Sequence, residues 1–240
     1  LALPYMRLDL LQDDYVTAHN LDQIGRTEDL RFGTQLSAEL GVSQAALGAN
    51  RNAFVASLGA SRGYRLVHEQ SLFLAGSWGS RLEGGSLRDS LLSVSSRYFW
   101  RASGKTVLFV GFAADKGSAL DLDHELMLGG DTGLRGYPLR YQTGTARALL
   151  TVEGRYFTNW YPLRLARVGA AVFADIGRTW GASALAVPEL GTLRDVGIGL
   201  RFGNTRSALG NVLHVDLAFP LDGDPSVKSM QFLLKTYKSF

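Results

Sequence analysis

Residues 168–177 read Val168-Gly169-Ala170-Ala171-Val172-Phe173-Ala174-Asp175-Ile176-Gly177. Val172, Ala174 and Ile176 alternate with Phe173, Asp175 and Gly177. A helix would scatter these two sets around its circumference, whereas a strand sorts them onto two faces, one apolar and one bearing a carboxylate. The same period of two runs through 195–203, where Val196, Ile198, Leu200 and Phe202 alternate with Asp195, Gly197, Gly199 and Arg201, and through 213–220. It also runs through 30–41, which reads as one strand with Leu30, Phe32, Thr34, Leu36, Ala38 and Leu40 on one face.

Less regular strands are expected at about 4–17, 51–63, 67–82, 86–101, 104–115, 145–158 and 228–240, separated by turn signals such as Gly84-Gly85 and Asp222-Gly223-Asp224-Pro225. Strands of globular proteins centre on about 5–6 residues; these are longer, and fit a bilayer-spanning strand of roughly 9–11 residues or more. Tyr98-Phe99-Trp100, Tyr156-Phe157 and Trp160-Tyr161 fall at strand ends, where interfacial girdles sit. The expectation is an all-β chain: one antiparallel transmembrane β-barrel domain over 1–240, with about twelve strands. Periodicity alone fits a soluble sandwich equally well; strand length, glycine content and aromatic placement favour the membrane form.

Composition narrows the remaining classes. The chain has 240 residues, a net charge of +3 with no basic run, and no cysteine, so nothing in it asks for nucleic acid and thiolate chemistry is excluded. No apolar run approaches the roughly 18 residues of a membrane-spanning helix. The amino end lacks a signal-peptide pattern and starts almost inside a strand, as a processed or truncated start would. His19, His68, His124 and His214 show no metal-ligand spacing, and no metal or cofactor is expected.

The longest stretch without strand pattern contains Gly129-Gly130-Asp131-Thr132-Gly133-Leu134-Arg135-Gly136-Tyr137. Flanking glycines let such a loop turn tightly and approach a wall. By parity Asp175 and Phe173 point away from the apolar face, and so does Glu153, opposite Val152. If the loop folds inward, Arg135 can reach Asp175 or Glu153, and its planar fork suits a carboxylate.

These residues resemble the barrel of the outer-membrane-protein-85 superfamily: insertases, two-partner-secretion transporters and patatin-like autotransporters. The resemblance rests on five motifs in order. They are Leu134-Arg135-Gly136-Tyr137, ending a glycine-rich loop; Glu153-Gly154-Arg155; Phe173, Asp175 and Gly177; Gly197, Gly199, Leu200 and Arg201; and Asp216-Leu217-Ala218-Phe219-Pro220-Leu221. It covers roughly 105–240, and 25–105 more loosely. The chain departs from the family in lacking the POTRA modules that precede the barrel and in being short for its usual sixteen strands, so it is alternatively the C-terminal part of such a barrel.

The resemblance implies a non-enzymatic barrel of the bacterial outer membrane, of the insertase or translocation kind, with the loop locked by an arginine–carboxylate contact. Its partners would be the lipid bilayer, a polypeptide substrate and the outer-membrane assembly machinery, with a homodimer left open. A passive anchor for a missing hydrolase module is the alternative. Phe240, with Phe232 and Leu234 in its parity, would form the terminal assembly signal; Thr236 and Lys238 interrupt it, which suggests imperfect pairing or a bulge near Lys238.

Three competing motifs lack their context. Gly59-Ala60-Ser61-Arg62-Gly63 matches a hydrolase elbow but precedes another strand rather than a helix. Asp131-Thr132-Gly133 occurs once where an aspartic protease needs two copies. Ser103-Gly104-Lys105-Thr106 follows Phe99 where a phosphate-binding loop requires glycine.

Overall fold

The computed structural model describes residues 4–121, 124–181, 190–204, 211–223 and 225–238. Its strands are β1 (Tyr5–Leu11), β2 (Tyr15–His19), β3 (Thr27–Arg31), β4 (Gln35–Ser43), β5 (Ala53–Arg65), β6 (Gln70–Glu83), β7 (Ser86–Arg101), β8 (Thr106–Ser118), β9 (Leu126–Leu128), β10 (Gln142–Gly144), β11 (Ala146–Phe157), β12 (Ala166–Trp180), β13 (Leu193–Asn204), β14 (Asn211–Pro220) and β15 (Gln231–Lys238). Eleven of them form one antiparallel sheet in the order β1-β4-β5-β6-β7-β8-β11-β12-β13-β14-β15. Among the described residues the sheet has eleven strands, in keeping with the expected number of about twelve, and β1 and β15 do not pair with each other. The remaining strands make two small hairpins, β2–β3 and β9–β10. β5 to β8 and β11 to β13 run to 12–16 residues each, long enough to cross a bilayer at the tilt of a barrel strand.

The sheet is turned inside out relative to a water-soluble barrel. Along β12, Val172 and Ile176 are exposed while Phe173, Asp175 and Thr179 are buried; along β13, Val196, Ile198 and Leu200 are exposed while Asp195 and Arg201 are buried. Ile198 is 55% exposed, and Arg201, on the other face of the same strand, 2%. Charged groups on the concave face, here termed the lumen, are covered, and the apolar convex face is left without a protein partner. That surface is stable where its surroundings are hydrocarbon.

Two expectations change. Residues 30–41 are not one strand: β3 ends at Arg31 and β4 starts at Gln35, with Gly33 at the corner between them. A Cβ on Gly33 would lie 2.0 Å from the Gln12 carbonyl oxygen, so the chain crosses itself there and only glycine fits. The alternation continues across the corner, which is why period alone does not show the break. The girdle also divides by parity. Trp100, Tyr156 and Trp160 are exposed on the outside, but Phe99 and Phe157 turn inward and join Leu21, Ile24, Val107 and Val212 in a buried apolar cluster.

The terminal strand pairs regularly. β14 and β15 run in unbroken register from Ala218↔Gln231 to Asn211↔Lys238, with no bulge. Phe232 and Leu234 lie on the exposed face, while Phe240 lies outside the described residues. Gly59–Gly63 lies within the continuous ladder of β5 and forms no elbow.

Candidate functional site: the loop seated in the lumen

The connection between β8 and β11 spans 119–145 and folds into the lumen, leaving the short hairpin β9–β10 along its flanks. Its tip is a compact turn: Leu134 N–H donates to the Gly129 carbonyl at 3.0 Å, Tyr137 N–H to Leu134 O at 3.1 Å, and Gly130 N–H to Pro138 O at 3.2 Å. Leu134 and Tyr137 pack with Leu128 and Leu193 in a buried cluster. The Tyr137 hydroxyl lies 2.8 Å from the Arg194 carbonyl oxygen and 3.0 Å from that of Asp222, and accepts the Asp222 N–H at 3.2 Å. Burial pushes this phenol up to about 12, so it stays protonated and donates to one of the two carbonyls.

Arg135 projects from this tip toward three strands, β11, β12 and β14. Its Nε and Nη2 donate to Asp175 Oδ2 and Oδ1 at 2.7 and 3.0 Å, and Nη1 donates to Glu153 Oε2 at 2.8 Å. Asp216 Oδ2 lies 3.5 Å from Nη1. The guanidinium stacks on Phe173, with Cζ 3.4 Å from the ring centroid. Burial opposes the arginine's charge, but the carboxylates of Asp175 and Glu153 outweigh it and raise its pKa. Strand pairing explains the convergence: Glu153 lies opposite Phe173, Thr151 opposite Asp175, and Phe173 opposite Gly197. A Cβ on Gly197 would sit 2.3 Å from the Phe173 ring, so that glycine makes the space in which the ring lies flat under Arg135. Gly136 and Gly177 serve the same end. A Cβ on Gly136 would meet Asp195 Cβ at 2.5 Å, and one on Gly177 would press on Leu128 at 3.2 Å.

The carboxylates are themselves held. Thr151 Oγ1 donates to Asp175 Oδ1 at 2.8 Å, and Arg155 Nε donates to Glu153 Oε1 at 2.9 Å. Arg201 Nη2 is 3.1 Å from Glu153 Oε2, and Arg201 also hydrogen-bonds Asp216. The charged members of this network, Arg135, Glu153, Arg155, Asp175, Arg201 and Asp216, are all buried. Removing one member would strand its partner's charge in a low-dielectric site.

The structure thus brings Gly129, Gly130, Leu134, Arg135, Gly136 and Tyr137 together with Glu153, Phe173, Asp175 and Gly177. Phe232 and Leu234 lie elsewhere, on the outer face of β15. Arg155, Arg201 and Asp216 belong to three of the five motifs, and their roles emerge only in the folded sheet. Their parity, opposite Tyr156, Leu200 and Leu217, carries the signal that they point inward. Beside the loop lies a cavity of about 500 Å³ lined among others by Arg97, Gly111, Thr132, Arg147 and Thr151.

No family model and no curated protein matches the chain. Solved structures do. CdiB from Acinetobacter baumannii matches with a TM-score of 0.55 and 17% identity, over 98% of this chain and 42% of that one. BamA from Haemophilus ducreyi lacking POTRA domains 1-3 gives a TM-score of 0.45 and 11% identity, over 98% of this chain and 70% of that one. The chain therefore spans less than half the length of CdiB. All-antiparallel topology, the inverted burial of the wall and the likeness to CdiB agree on the fold alone: an antiparallel sheet of the transmembrane β-barrel type, similar to CdiB.

Proposed function

We propose that the chain is the membrane-embedded barrel of an outer-membrane protein that inserts or translocates polypeptides, and that Arg135 locks its lumen loop. One observation carries this reading: a loop tip seated inside the sheet by an arginine shared among carboxylates of β11, β12 and β14. A wall that served only to hold another module in the membrane has no use for a buried, charge-locked loop in its lumen. The cost of enclosing these charges is justified where the loop must hold one position against passing substrate.

Reconstitution tests it. Liposomes containing the protein, given a urea-unfolded outer-membrane barrel as client, should convert that client to its heat-modifiable form several-fold faster than empty liposomes. Arg135→Ala should lose most of the gain while remaining inserted itself. No acceleration by a fully inserted barrel would leave the passive-anchor reading.

A further inference from the structure

At the end of the sheet opposite the long loop, β1 and β4 are neighbours, and a short turn would join them. They are instead joined by residues 12–34, which carry the β2–β3 hairpin. This segment does not hang in solvent. Leu21 and Ile24 are buried against Phe99, Val107, Phe157 and Val212, contributed by β7, β8, β11 and β14. Ile24 reaches β12 and β13, far from β4 in sheet order, where Gly169 and Gly203 leave room for it. A Cβ on Gly203 would lie 2.9 Å from Ile24 Cβ, and one on Gly169 would lie 3.3 Å from Ile24 Cδ1. The segment therefore crosses the lumen from one wall to the other.

Its tip is built and anchored by polar contacts. Glu28 accepts the Leu21 and Asp22 N–H groups at 2.7 and 3.0 Å, which shapes the turn over 20–28. Arg155 Nη1 donates to Asp22 Oδ1 at 2.8 Å and to the Leu21 carbonyl at 3.3 Å. Arg101 donates to the His19 carbonyl at 3.3 Å. The same Arg155 holds Glu153, and Glu153 holds Arg135. One chain of ion pairs, Asp175–Arg135–Glu153–Arg155–Asp22, thus ties the loop entering from one end of the lumen to the hairpin entering from the other. The cavity beside the loop and a second of about 360 Å³ beside the hairpin share Asp22, Ser95 and Arg97 in their walls. The tip that carries Asp22 stands where the two would join.

We infer that residues 12–34 are a second plug, closing the lumen at the end opposite the long loop and latched through Arg155 to the carboxylate that also holds Arg135. Releasing Asp22 opens this end and weakens the seat of the long loop, so the two plugs open together. The inference requires the chain to sit in a bilayer but does not depend on a polypeptide substrate; conductance tests it even if client insertion fails.

The chain has no cysteine, which allows a clean tether. In planar bilayers, Asp22→Asn should raise mean conductance at least two-fold over the parent. Ile24→Cys with Gly203→Cys, added to Asp22→Asn, should form a disulfide on oxidation, since the two Cβ positions need separate only slightly to reach the roughly 3.8 Å such a bond prefers. The oxidised protein should return to parental conductance, and reduction should restore the raised level. Heat-modifiable mobility of each variant establishes that it is folded. Parental conductance in folded Asp22→Asn, failure of the disulfide to form in folded protein, or raised conductance persisting after oxidation would each overturn the second plug.

Discussion

Arg135 and Asp175, forty residues apart, meet in a two-pronged contact in which Nε and Nη2 each reach a separate carboxylate oxygen, at 2.7 and 3.0 Å. The same guanidinium lies flat on Phe173. Two demands, a fork and a plane, are placed on one side chain, and lysine meets neither.

Arg135→Ala and Asp175→Ala are each expected to destabilise the detergent-solubilised barrel by about 3–5 kcal/mol, since each strands a buried charge. The double variant should cost less than the sum, with a coupling of about 1–3 kcal/mol. Arg135→Lys should recover only a minor part. Denaturant titrations followed by heat-modifiable mobility measure all four; strictly additive losses would show that the contact contributes nothing.

Gly136→Ala should unseat the loop tip, because the added methyl meets Asp195 Cβ at 2.5 Å and the Pro220 nitrogen at 3.0 Å. Gly104→Ala, with nothing within 4 Å, is the matched control. Limited trypsin digestion reads the difference: cleavage after Arg135 and Arg140 should be faster in the first variant and unchanged in the second.

The hairpin should be steadier in acid. Burial pushes the Glu28 carboxyl up from 4.5 to about 7, against the backbone N–H groups that favour its charged form. A carboxyl whose folded value is raised binds its proton more tightly folded than unfolded, so its contribution is full below pH 4.5 and is lost as pH rises to about 7. The loss is on the order of 3 kcal/mol. Amide exchange at Leu21 and Asp22 should quicken from pH 5 to pH 8 beyond its intrinsic pH dependence, and Glu28→Gln should abolish that excess.

Ile198→Arg places a charge on the exposed face in mid-strand. In a bilayer this should cost about 2–4 kcal/mol and reduce the amount of assembled barrel, whereas on a water-facing surface it would be neutral. Comparing assembled yield and melting in lipid with those of a rim variant, Tyr64→Arg, separates the two cases. Equal tolerance at both positions would remove the membrane placement.

Much of the wall was legible because period two is a local property. Val172, Ala174 and Ile176 take one face and Phe173 and Asp175 the other whatever the strand pairs with, so the inward direction of Asp175 and Glu153 follows from parity. Sequence alone also marked Arg135 as the loop's charged group and the glycines around it as points of close approach. What parity cannot give is which inward groups meet. That depended on register: Thr151 faces Asp175, Phe173 faces Gly197, and Gly199 faces Asp216 only in the pairing adopted. Long-range closure decided the rest. The corner at Gly33 is set by a carbonyl twenty-one residues earlier, at Gln12, and the alternation passes through it unchanged. Phe99 and Phe157 sit among girdle residues in sequence, yet they face a hairpin that enters the lumen between distant strands. Side-chain direction is written into neighbouring residues, whereas the partner on the far side of a lumen is supplied by chain a hundred residues away, and only the folded sheet brings it there.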